Sequence, residues 1–249
     1  MSSAMTELQS EVTVKTYFPP DLQPMALYES ASIISGGTTG LFSWTASFIL
    51  ADYFLTNYEK VFNDWSSSAG STLDTEDDVI VLELGAGTGL LSILTSQLLT
   101  KRKMSPSVKF ISTDHHPKVL RNLSRNITLN HSNAVIEELD WMCIPANPPP
   151  AIASLHKKIK VIIASDVVFH PSLIPHLVDT MVYLLADKGM VYMATTIRNE
   201  ETWQLFIDCI EKDKLALTPI DVDVHCVVAK QWLYPAEPRQ SVRLFELHL

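Results

Sequence analysis

From Val79 onward, apolar runs of strand length alternate with segments of helical period, the pattern of an α/β domain built on a largely parallel sheet. The alternation predicts strands at residues 79–84, 108–113, 134–139, 159–165 and 189–197. Helices are predicted between them, at Leu90 to Leu99, Pro117 to Asn130 and Ser172 to Ala186, the second opening on a proline suited to a first turn and the last followed by a strand entered through Gly189. A further helix from Glu200 to Lys212 has Asn199 as its N-cap and two glutamates at the positive end of its dipole. The pattern then changes. The stretches "LTPIDVDVHCVVAKQWL" and "SVRLFELHL" read as two strands with no helix between them long enough for a crossover, so they should pair antiparallel. The predicted fold class is α/β, a Rossmann-like seven-strand sheet of five parallel strands closed by that C-terminal pair.

Before Val79 the signals differ. "EVTVKTYF" and "MALYES" suit a hairpin, and Trp44 to Tyr58 is apolar over the length of a helix. Residues 1–62 are therefore read as an N-terminal cap. The serine-rich, acidic residues 63–78 are read as an exposed connection, and residues 79–249 as the main domain. "IPANPPPAIASLHKK" reads as a proline-stiffened loop ahead of a strand. Composition narrows the function classes. The chain has 249 residues, 47% of them apolar, enough for one large core. Its net charge of −9 disfavours direct contact with nucleic acid or an anionic membrane surface. Cys143, Cys209 and Cys226 lie far apart and offer neither a disulfide framework nor a CxxC pair for zinc. The start lacks a basic stretch followed by an apolar core, and Asp52 interrupts "LFSWTASFILADYFL" short of a bilayer span, so the expected setting is cytoplasmic, with no membrane.

The candidate chemistry sits in "VIVLELGAGTGLLSILTSQLL". Gly85, Gly87 and Gly89 fall where the first strand of the alternation turns into a helix, and without a Cβ the backbone there can approach a ligand above the helix N-terminus. The dinucleotide fingerprint would need glycine where Leu90 stands, and a P-loop would need a lysine followed by serine or threonine, which is absent. With Glu83 and Ala86 the run spells ExGxGxG, which resembles motif I of the seven-strand S-adenosylmethionine-dependent methyltransferases. That cofactor carries no phosphate but a sulfonium cation, which an acidic glycine loop suits. Asp114, at the end of "FISTD", can accept from both ribose hydroxyls or cap the next helix. Trp141 can offer a flat face to adenine or fill a core. Asp166 and Phe169, at the fourth strand's end, read alone as a helix-capping carboxylate and a core aromatic.

The resemblance narrows further at "SDVVFHP", where Asp166 to Phe169 matches the [DE]xx[YF] motif of a protein-methylating branch called family 16, whose members mostly modify lysines of non-histone proteins. "ISGGTTGLFSWTASFILADYF" resembles that branch's entry segment, and "ATTIRNEETWQLF" is similar to the fifth-strand segment of the elongation factor 2 lysine methyltransferases. The resemblance implies cofactor contacts from Trp44, the Gly85 to Gly87 loop, Asp114, Trp141 and Ala164, with Asp166 and Phe169 bordering the methyl-transfer position. It implies no metal, and elongation factor 2 as the protein substrate. Familiar members carry a longer region ahead of the segment that begins here at Gly36. A carboxylate such as Asp166 is read as an orienter of the lysine amine, and Phe169 as a wall of its channel. Arg198, Asn199 and Glu200 could meet the protein substrate, or serve only as a helix cap and its salt-bridging neighbour. Methylation of a small molecule, or binding of the cofactor or an elongation factor without turnover, are the competing readings.

Overall fold

The computed structural model describes residues 12–67, 79–102, 108–226 and 241–249. Its centre is a seven-stranded sheet in the order β5-β4-β3-β6-β7-β9-β8. The strands are β3 (Val79–Leu84), β4 (Val108–Asp114), β5 (Val135–Glu138), β6 (Ile159–Ser165), β7 (Leu185–Thr196), β8 (Ala216–Ile220) and β9 (Val242–His248). β3 to β7 run parallel, and β9 pairs antiparallel with both β7 and β8, the closure the sequence predicts. β3 and β6 are apolar almost throughout because both faces of the sheet are covered, and each buries nearly every residue. Chain order reverses between these two strands, which makes the crevice above their carboxyl ends the place for a ligand.

Two apolar layers flank the sheet. On one side α1 (Thr45–Ser67) and α2 (Leu90–Arg102) bury Leu50, Phe54 and Leu94 against Val81 and Tyr192. On the other, α5 (Ile174–Leu184) and α6 (Glu200–Lys212) bury Met181 and Phe206 against Leu82, Ile162 and Phe245. Between them in chain order come α3 (Pro117–Leu129), beside β4 and β5, and the single turn α4 (Pro150–Ala153) within the proline-rich loop. The strand predicted over "LTPIDVDVHCVVAKQWL" is shorter: β8 ends at Ile220, a second single turn, α7 (Val222–His225), capped by Asp221 follows, and residues 227–233 of that stretch lie outside the described residues. The N-terminal hairpin forms from β1 (Val12–Tyr17) and β2 (Met25–Ser30) as its own two-stranded sheet.

Several boundaries depart from the sequence reading. α1 does not stop at Tyr58 but continues to Ser67, so residues 63–67 are helical; residues 68–78 of the expected connection lie outside the described residues. Asn57 marks the place where the helix breaks geometry, at φ −116° and ψ 19°, and its side chain donates to the carbonyls of Tyr53 (3.0 Å) and His225 (2.9 Å). The helix predicted to Ala186 ends at Leu184, because β7 begins at Leu185 and crosses a register irregularity before Gly189. α6 and its Asn199 cap fall where predicted, Asn199 accepting from Thr202 N–H at 2.9 Å. Among the described residues no helix is long and apolar enough to cross a membrane.

Candidate functional site

A cavity of about 210 Å³ opens above the carboxyl ends of β3, β4 and β6. Glu83, Gly85, Ala86 and Gly87 form its floor, and Asp114, Trp141, Trp44, Asp166 and Phe169 stand around it. Two of the residues expected at the cofactor do not reach it. Ala164 is fully buried inside β6, and Gly89 faces α3, where an added Cβ would come within 2.6 Å of Leu123 Cδ1. Gly89 is thus a packing glycine: the turn needs its positive φ of 84° and the helix needs its missing side chain. Gly87 is different. Its φ of 55° is joined by a close approach to the Gly40 carbonyl, 3.2 Å from where a Cβ would stand. The segment Thr38 to Ser47 therefore closes the cavity from the N-terminal side. Sequence reasoning named only Trp44 there, although "GGTTG" carried the signal of a tight backbone approach.

The carboxylates around this floor have distinct settings. Asp114 Oδ1 accepts from the N–H groups of His115 (2.8 Å) and His116 (3.1 Å), and Oδ2 accepts from Gly87 N–H at 3.2 Å. It fastens the glycine turn to the end of β4. Glu83 is buried under the turn, where it accepts from the Ser92 hydroxyl, which also meets Ser112 at 2.6 Å. Burial pushes its pKa up to about 8; the charge of Asp114 adds to the rise, and the Ser92 bonds oppose it. Trp141 begins a short 3₁₀ turn whose cap, Asp140, accepts from Met142 N–H at 3.0 Å. That turn sets the indole beside Gly85.

At the opposite wall, Asp166 holds a positive φ of 53° and a side chain only 3% exposed. Oδ1 accepts from Thr196 N–H (2.8 Å) and Arg198 Nη1 (3.3 Å), while Oδ2 accepts from Thr196 Oγ1 (3.2 Å) and Arg198 Nη2 (3.1 Å). Four bonds occupy the carboxylate's ordinary accepting capacity. An incoming amine gains a bond here only by replacing one of these. The guanidinium also lies 4.8 Å from the ring centroid of Trp44, so it bridges the entry segment and the end of β7. Phe169 is 52% exposed and separates the main cavity from a small hollow of about 40 Å³ lined by Arg198, Asn199, Thr202 and Trp203. Asn199 reaches that hollow while spending its side-chain oxygen on the α6 cap.

The residues present fit S-adenosylmethionine. The glycine turn leaves backbone open to a ligand, an aromatic face stands on either side, and Asp114 supplies a negative charge that suits a cation and repels a phosphate. Comparison with known proteins agrees with this chemistry. The family model described as lysine methyltransferase matches residues 33–213. The chain is 30% identical over 214 residues to the human protein-lysine N-methyltransferase EEF2KMT, covering 77% of this chain and 56% of that protein. It is also 30% identical over 202 residues to the protein-lysine N-methyltransferase EFM3 of Chaetomium thermophilum, covering 78% and 54%. The chain thus spans little more than half the length of these relatives. Among solved structures, the Thermus thermophilus 16S rRNA methyltransferase RsmC, in complex with AdoMet and guanosine, superposes with a TM-score of 0.56. That likeness covers 95% of this chain and 50% of RsmC at 11% identity, and it speaks for the fold.

Proposed function

The chain belongs to the lysine methyltransferase family, and we propose that it transfers a methyl group from S-adenosylmethionine to a lysine side chain of a protein, with elongation factor 2 as the substrate. One observation carries the reading: in a chain of this family, the ExGxGxG turn, Asp114, Trp141 and Trp44 converge on one cavity whose far wall is the Asp166 to Phe169 motif. The choice of elongation factor 2 is supported by "ATTIRNEETWQLF" at the end of β7 and by the similarity to EEF2KMT and EFM3. The setting that goes with this substrate is the cytoplasm.

When bound, the cofactor supplies an electrophilic methyl group on a sulfonium. Gly85 to Gly87 offer backbone, Asp114 offers the acceptor capacity left on Oδ2, and Trp44 and Trp141 offer apolar faces. The chain's remaining task is to present a neutral amine in line. A free lysine has a pKa near ~10.4, so about three units separate it from neutrality. A bare carboxylate at the acceptor position would hold the amine charged. Here Arg198 already compensates Asp166, so that pull is cancelled, and desolvation beside Phe169 favours the uncharged form. Asp166 orients the acceptor side by fixing Thr196 and Arg198, and Phe169 lines the approach. Alignment of nucleophile and electrophile then supplies much of the acceleration.

The test uses the purified chain with methyl-labelled S-adenosylmethionine, in one arm with elongation factor 2 added to a whole-protein lysate and in the other with a protein-free extract of small molecules. Label in a lysine of elongation factor 2, located by mass spectrometry, supports the full reading. Label in other proteins only would retain the reaction and remove the substrate. Label in the small-molecule arm alone, or cofactor binding with no transfer in either, would overturn the assignment.

A further inference from the structure

The N-terminal hairpin is tied to the glycine turn by two polar routes that the reaction does not require. The first runs through α3. Among the described residues the edge of β2 turned away from β1 has no strand beside it, and asparagine side chains take that place. Asn130 accepts from Ala26 N–H (2.9 Å) and donates to Ala26 O (2.8 Å). Asn126 accepts from Tyr28 N–H (2.8 Å) and donates to Tyr28 O (3.2 Å), to which Asn122 also donates at 2.9 Å. Spacing of four residues puts all three on one helix face, and a primary amide presents the donor and acceptor that a strand edge would. Asn126 has a further bond. Fully buried, it donates to the carbonyl of Thr88, inside the glycine turn, at 2.8 Å.

The second route starts at Glu29, fully buried in β2. Its carboxylate accepts from Lys15 Nζ (3.0 Å), Tyr17 Oη (2.9 Å) and Ser43 Oγ (2.6 Å). Ser43 in turn meets Thr88 Oγ1 at 2.7 Å. The ionised carboxylate can only accept, so the one proton of Ser43 points to Glu29. Thr88 must then donate to Ser43, and the chain of hydroxyls has one direction, from the glycine turn to the hairpin. Thr88 is thus held twice, by its carbonyl through Asn126 and by its hydroxyl through Ser43. Both anchors rest on β2.

Building on the function proposed above, we propose that Glu29 and Asn126 are positioning residues for the cofactor turn, and that hairpin docking and cofactor binding are thereby coupled. A ligand that selects the held form of the Gly85 to Gly89 turn must tighten the hairpin, and loosening the hairpin must weaken the ligand by the same factor. The surface hairpin becomes a second place from which the site can be tuned.

The test is a double-mutant cycle on Glu29→Gln and Thr88→Val, read by calorimetric affinity for S-adenosylmethionine and by amide hydrogen exchange of residues 25–30 with and without the cofactor. Each single variant is expected to weaken binding on the order of 5-fold or more, and the double variant no more than the worse single one. In the wild type the cofactor slows exchange at Ala26 and Tyr28; in Thr88→Val that protection is lost. Should Glu29→Gln fail to fold, Ser43→Ala replaces it, since it cuts the route while leaving Glu29 with Lys15 and Tyr17. Additive losses together with exchange in the hairpin that ignores the cofactor would overturn the coupling and leave the function standing. A folded wild-type chain that does not bind S-adenosylmethionine at all would overturn both.

Discussion

Asp114 and Asp166 both end a parallel strand at the same cavity, yet their surroundings give them opposite characters. Asp114 is bonded by three backbone N–H groups, with the His115 ring no nearer than 3.9 Å, and its side chain is 11% exposed. Backbone dipoles fix its direction without cancelling its charge, so it still attracts hydroxyl donors and positive groups. Asp166 is bonded by a guanidinium and a threonine, and its side chain is 3% exposed. Its charge is balanced within the chain. The lesson is that one residue type at equivalent strand ends keeps its charge open toward the cavity at one edge and stiffens a wall at the other, according to what donates to it.

The comparison can be broken most severely at the glycine turn. Gly87→Arg should reduce S-adenosylmethionine affinity by at least about 100-fold, because a positive φ strains any L side chain and the new group meets the Gly40 carbonyl. Calorimetry on the folded variant checks this, and unchanged affinity would place the ligand elsewhere. At the other edge, Asp166→Ala should slow single-turnover methylation on the order of 100-fold, the scale of losing a positioning group, while cofactor affinity stays within about threefold. Asp166→Asn should recover part of the rate, since it can still accept from Thr196. Loss of cofactor in proportion to rate would make the two carboxylates alike and erase the contrast.

How much of this was legible in the sequence depends on the range of the signal. The sheet was, because fully buried parallel strands must be apolar along their whole length and the antiparallel closure follows from a missing crossover. The floor of the site was legible for a related reason: Glu83, Gly85, Gly87 and Asp114 are set by one strand-turn-helix and its neighbour. A linear motif does not record which way each position faces, so Gly89 and Ala164 look like cofactor contacts until the fold turns one toward α3 and buries the other in β6. Asp166 reads from the sequence as an orienter of the substrate amine, and its engagement within the chain is hidden because its partners Thr196 and Arg198 lie a whole helix and strand further along. The asparagine ladder of α3 was hidden for the same reason. Its residues look like ordinary polar positions until β2, far earlier in the sequence, is laid against them.

A milder change sharpens the contrast from the cofactor side. Asp114→Ala should weaken S-adenosylmethionine by about 1 to 3 kcal/mol, the range of charge-assisted bonds lost together with the tether to Gly87. Methylation at saturating cofactor should then be nearly normal, the reverse of the Asp166 phenotype. If saturation does not restore the rate, Asp114 acts beyond cofactor binding and the division into two edges fails.

The smallest effect comes from Glu83, the third carboxylate, which among the described residues is bonded by Ser92 and by no cation. Its folded-state pKa is about 8, above the ordinary range, because burial penalises the charged form. A raised pKa means that the native state holds the proton more tightly than the unfolded chain. The stability this contributes is complete below the unfolded pKa of roughly 4.3 and is lost as pH rises toward the folded value of about 8. Within that window one extra bound proton corresponds to a slope of about 1.4 kcal/mol per pH unit. Glu83→Gln cannot lose a proton, so denaturant unfolding of wild type and variant at pH 6 and pH 7 should show the wild type losing about that much more stability over the step. Comparing the two proteins removes the histidines from the difference. Parallel pH profiles would mean that Glu83 is already ionised under the glycine turn, and that the cofactor edge carries two bare charges in place of one.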